Sequence, residues 1–153
     1  MTSFMPPAAA CLLLMLSPAI AQNASPGALK GLKTVNIEIE RLDKNVQEDG
    51  LTESAIQTQV ELHLRSAGIT ISASPAVLHV EVGTLKLSNG GYVYDINMRL
   101  TEVVQIRNKY ILASTWSAGS YGYRSASDIA AITTYISNNV DEFANEWLRD
   151  NPK

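Results

Sequence analysis

The chain has 153 residues, 46% hydrophobic and 18% charged, with a formal net charge of −3 and one cysteine. That length suits one domain able to bury roughly two-thirds of its unfolded surface. The composition excludes a disordered chain and a bundle of membrane helices, and the mild acidity lacks the basic stripe of a nucleic-acid binder.

The charges are placed unevenly, because none precedes Lys30. Residues 8–16, AAACLLLML, form an apolar run broken by Ser17-Pro18, and Ala19 and Ala21 stand at −3 and −1 before Gln22. This order predicts a secretory signal over 1–21, cleaved after Ala21, and hence a periplasmic or extracellular protein. The run is too short to cross a bilayer, so no transmembrane helix is expected after signal removal. Cys11 lies inside the run rather than after it, which argues against lipid attachment. Cleavage leaves no cysteine, and therefore no disulfide, thiol nucleophile or thiolate metal site.

Residues 22–31, QNASPGALKG, read as a flexible mature N-terminus ahead of a single domain over 32–153. A strand follows at 34–40, where Val35, Ile37 and Ile39 alternate with Asn36, Glu38 and Glu40. Ile56, Val60, Leu64 and Ala67 predict a helix over 52–67, with Thr52 as N-cap and Gly68 just past its end. Two strands, 77–87 and 92–107, flank Ser88-Asn89-Gly90-Gly91, and Asn-Gly predicts a type I′ turn. Leu78, Val80 and Val82 are out of phase with Leu85 and Leu87, so a bulge at Gly83-Thr84 is expected to bring all five to one face. A turn at Asn108-Lys109 leads to a further strand, 110–121. The last element is a helix over 128–149, with Ile129, Ile132, Ile136, Val140, Phe143 and Trp147 in one stripe; Ser125 to Asp128 has the S-x-x-D capping pattern, with Ser127 as a competing N-cap.

The order β-α-β-β-β-α predicts an α+β two-layer sandwich: a mainly antiparallel four-stranded sheet with two helices on one face. The other face is left open. Pairing through the predicted turns sets His79 opposite Arg99, Glu81 opposite Asn97 and Thr101 opposite Trp116. These six residues are the candidate binding surface, set against the plainer reading of a solvated face with ordinary charge pairs. The strand from 92 to 107 would run about 53 Å, whereas the helices would span about 24 and 33 Å. The tip of the 102–115 hairpin, with Val103, Val104, Ile106, Tyr110, Ile111 and Leu112, is expected either to curl back over a helix or to project as a contact with another chain.

Catalytic and metal signatures are missing from the sequence. The two histidines, His63 and His79, lack the spacing of a metal site, no nucleophile elbow occurs, and no glycine run opens a helix as a phosphate loop does. No cofactor or metal is implied. The segments GLTESAIQTQVELHLRSAGI (50–69) and DEFANEWLRDNPK (141–153) resemble a family of small secreted or periplasmic bacterial proteins, uncharacterised as to activity, that end in D-E-F-x-N-x-W-L-x-x-N-P. The element order is loosely similar to that of TolB N-terminal-like envelope modules, a likeness of topology alone. The expected function is that of an exported non-catalytic binding or assembly module meeting an envelope protein or small ligand. The alternatives are a small periplasmic hydrolase using His79, Glu81 and Arg99, or a structural protein self-associating through the tip.

Overall fold

The computed structural model describes residues 26–152; the predicted signal, 1–21, lies outside them. The elements are β1 (Thr34–Ile39), α1 (Lys44–Glu48), α2 (Glu53–Ala67), β2 (Thr70–Ile71), β3 (Val77–Lys86), β4 (Tyr92–Ile106), β5 (Lys109–Arg124), a 3₁₀ segment (Ala126–Ala131) and α3 (Ile132–Asp150). The sheet has five strands, not four, in the order β2-β1-β3-β4-β5. β1 is parallel to both β2 and β3, and only β3, β4 and β5 form the antiparallel meander. β2 is two residues long, too short to show any periodicity, and α1 buries a single side chain, Val46.

Local chemistry accounts for the boundaries of α2. Thr52 Oγ1 accepts a hydrogen bond from the Ala55 amide at 3.2 Å. Gly68 adopts a left-handed φ of 93°, while the Gly68 and Ile69 amides donate to the Arg65 and Leu64 carbonyls. This is a Schellman closure, for which glycine carries no Cβ penalty. The last helix starts differently from expectation. Ile129 belongs to the 3₁₀ segment, and Ser125 makes no side-chain cap. Its hydroxyl instead meets Ser127 at 3.1 Å, while Asp128 faces Arg124 at 3.5 Å, so the capping box does not form.

Both hairpin turns differ from their predicted forms. Leu87 and Gly91 close a three-residue connection in which Gly90 has φ 82° and Asn89 Oδ1 accepts from the Gly91 amide. Asn89 has no positive φ, so the turn is not type I′; the arrangement is that of a type I turn followed by a left-handed glycine. The odd residue is absorbed there, and pairing from Val77↔Thr101 to Lys86↔Tyr92 runs without a bulge at Gly83-Thr84. Leu85 consequently faces away from the core and is exposed. In the second hairpin the turn residues are Arg107 and Asn108, with φ 47° and 63°, one position earlier than Asn108-Lys109. The bulge of the sheet sits in β5, where Leu100 pairs Trp116 but Thr101 pairs Ser114, leaving Thr115 extra.

One core lies between the sheet and the helices. Val35, Leu78, Val80, Tyr92, Tyr94, Ile96, Met98 and Leu100 meet Ile56, Val60, Leu64, Ile132, Ile136, Val140 and Phe143. The start of the described chain joins it. Residues 26–31, expected to be flexible, make turns, and Leu29 is 1% exposed. Asp150 Oδ2 accepts from the Leu29 amide at 3.2 Å, and Asn151 Nδ2 donates to the Leu29 carbonyl at 2.9 Å. Trp147 Nε1 donates to the Leu32 carbonyl at 2.7 Å, tying the same segment to α3.

Candidate functional site: the open sheet face and the hairpin tip

Alternation sends His79, Glu81, Asn97, Arg99 and Thr101 to the face opposite the helices, and the register places them side by side. His79 pairs Arg99, and Glu81 pairs Asn97, as the sequence predicts. Trp116 does not join them. The earlier turn and the extra Thr115 move it opposite Leu100, on the core face, where it is 3% exposed. Its ring meets Phe143 edge-on at 4.8 Å, and its Nε1 donates to Glu146 Oε2 at 2.8 Å. Trp116 is a core residue, not a binding residue.

β1 supplies the partners that the sequence reading lacked. Glu38 Oε2 lies 3.2 Å from His79 Nδ1, and Thr101 Oγ1 lies 2.9 Å from His79 Nε2. Arg99 stands between Glu40 and Glu81, 3.6 Å from each. The alternation of β1 already set Glu38 and Glu40 on its polar side; only the parallel placement of β1 beside β3 brings them to His79 and Arg99. These pairs are half-exposed, so each contributes under about 1 kcal/mol. Glu38, His79 and Thr101 form an acid–imidazole–hydroxyl chain, the order used in hydrolytic relays. Its three members sit on β1, β3 and β4, the internal strands of the sheet.

His63, on α2, makes a 2.6 Å contact from Nδ1 to Asp141 Oδ1 of α3, an interhelical tie rather than a ligand set. No cluster of three or more metal-ligating side chains occurs among the described residues. A groove of about 420 Å³ between α2 and the start of α3 is lined by small and polar residues such as Gly50, Ser54, Thr58 and Thr133, with no charged group.

A polar cluster fastens the opposite end of the β3–β4 hairpin. Tyr92 OH donates to Asp49 Oδ2 at 2.5 Å, and Lys86 Nζ lies 2.9 Å from the same oxygen. The Tyr92 hydroxyl, then Lys86, hold the Asp49 carboxyl below its usual range, and Asp49 in turn pushes Lys86 up to about 12. A lowered carboxylate pKa stabilises the fold above its unfolded value, and this contribution is lost as pH falls through the folded value. Asp49→Asn is therefore expected to lower Tm at neutral pH and to flatten its decline below about pH 4. Thermal melts from neutral to acid pH test this; an unchanged slope would remove Asp49 from the acid response.

The hairpin beyond Thr101 presents apolar side chains to both sides. Val103 and Leu112 pair on the open face, and Val104 and Ile111 on the other. Val103, Ile106, Tyr110, Ile111 and Leu112 are all exposed, between 43% and 73%, and Val104 is half-buried. A second exposed group missed in the sequence lies at the far end of the open face, where Leu85, Val93 and Tyr123 form one cross-strand row next to Tyr121. The unbroken β3–β4 register, which turns Leu85 outward, is what assembles it.

No helix among the described residues is long and apolar enough to cross a membrane. No protein-family model matches the chain, and no curated protein matches it. Among solved structures it is similar to a minor lipoprotein from Acinetobacter baumannii at 14% identity, covering 79% of this chain and 92% of that one, with a TM-score of 0.35. The rare lipoprotein B from Shewanella oneidensis gives 13% identity, 76% and 92% coverage, and a TM-score of 0.35. A PDZ domain protein from Parabacteroides distasonis gives 12% identity, 72% of this chain but 30% of that one, and a TM-score of 0.41. These likenesses are distant, and none of the names transfers to this chain.

Proposed function

We propose that the chain is an exported, non-catalytic module of the bacterial envelope that engages its partner through the 103–112 hairpin. The observation that carries this reading is the two-sided exposure of the tip. Five large apolar side chains stand clear of the core on both faces of a ribbon, which is more than scattered surface hydrophobicity explains. The uncharged N-terminal stretch supports export. Photo-crosslinking from position 112 in native envelopes tests the reading, with Leu62, an exposed α2 residue, as control position. The expected result is a discrete adduct from 112 and none from 62. Equal, diffuse labelling from both positions would sink it.

A second reading is favoured by the Glu38–His79–Thr101 chain, which could serve a small hydrolase. It requires turnover of an activated ester that falls with His79→Ala and with Thr101→Val alike. Turnover unaffected by either substitution discards it.

A further inference from the structure

Past Thr101, β4 and β5 continue without β3 beside them. A ribbon packed on its own protein would hide one face, and a groove in a partner would cover one. This ribbon is apolar on both, which suits a medium that surrounds it. Its charge has a definite sign as well. Arg107 and Lys109 flank the turn, and no acidic residue occurs between Glu102 and Asp128, in a chain whose net charge is −3. The apex carries two cations, Arg107 and Lys109, with Tyr110 and the apolar rows behind it. This arrangement suits an anionic lipid surface: the cations meet lipid phosphate, their long stems reaching back past the apolar side chains that follow them in.

Position supplies an independent argument. Asn36 pairs Val77, which pairs Thr101, so the start of β1 at Thr34 lies level with Val103. Residues 26–33 lead into β1 at that end, and Leu29 is held by Asp150 at the end of α3. The turn stands about 13 Å beyond the Val103 row at ~3.3 Å per residue. The 25 residues before Pro26, with the apolar run 8–16, thus join the molecule at the same end as the tip.

We infer that the 103–112 hairpin is a wedge that inserts into the headgroup layer of an anionic bilayer. This rests on the reading of the tip as the contact surface and names its partner as lipid. The test uses the full chain carrying Tyr110→Trp or, at the far end of the sheet, Leu85→Trp, with vesicles of phosphatidylglycerol whose acyl chains bear bromine. Emission is read against the wild-type chain, whose Trp116 and Trp147 provide the background. The expected result is quenching at position 110 and none at 85, with little in phosphatidylcholine vesicles. Combining Arg107→Glu with Lys109→Glu should weaken partitioning by more than about tenfold, since each cation adds to attraction at an anionic surface. Equal quenching at 110 and 85, or none at 110, overturns the inference. A dimer dissociated by Ile111→Glu, with no quenching at 110, would make a second copy the occupant and overturn it too. In the absence of quenching, a discrete protein adduct from position 112 would leave the docking reading standing and refute only the lipid; no adduct would refute both.

Discussion

Replacing Trp116 with alanine is expected to cost about 3–5 kcal/mol, a large part of the stability of a domain this size. The side chain is 3% exposed, lies edge-on to Phe143 and donates to Glu146, so truncation opens a cavity and strips a carboxylate of its donor. Trp116→Phe keeps most of the ring contact and loses only the N–H, for about 1–2 kcal/mol. Phe143→Ala should fall in the same range as Trp116→Ala, and the double variant should cost less than the two combined, because the residues touch. Urea denaturation with an unchanged m-value checks all four. A Trp116→Ala variant with the wild-type midpoint would mean that the indole lies on the open face after all.

Leu29→Ala is expected to cost about 2–5 kcal/mol, although it sits in a stretch of Gly, Pro and small polar residues that reads as an arm. The side chain is 1% exposed, and its amide and carbonyl are held by Asp150 and Asn151. Asp150 adds a pH signature. Burial opposes its ionised form, but the Leu29 amide, Arg149 and the Gly27 amide outweigh it and hold the carboxyl below its usual range. The tie is therefore complete above the unfolded carboxylate pKa and weakens as pH falls through the folded value. Calorimetry and limited proteolysis within 26–31 measure the effect. A change under about 0.5 kcal/mol, the range of ordinary surface substitutions, would show that the segment is undocked.

The open face was partly legible because strand alternation is a local property. His79, Glu81, Asn97, Arg99 and Thr101 share a face in the sequence and in the structure. Glu38 and Glu40 went unassigned because nothing local says that β1 lies beside β3. Trp116 lies on the core face for a different reason. A turn at Arg107-Asn108 instead of Asn108-Lys109 shifts the register by two and keeps its face; the extra Thr115 exchanges it, and nothing local marks that bulge. The tip residues 103–112 were legible from strand length against helix length, and their exposure follows from β4 and β5 outrunning β3.

Features that depend on near neighbours are readable along the chain: the α2 and α3 stripes, the Thr52 cap and Gly68 closure, the inward set Tyr92, Tyr94, Ile96, Met98 and Leu100, and the uncharged stretch before Lys30. The fifth strand, the docking of Leu29, the outward turn of Leu85 and the burial of Trp116 come instead from packing between distant segments. The physical reason is the two-residue period of a strand. One extra residue in a turn or bulge exchanges the two faces for every residue beyond it. Whether that extra residue falls at Gly83, Gly90 or Thr115 is settled by which choice packs the distant core, where Trp116 meets Phe143 and Glu146.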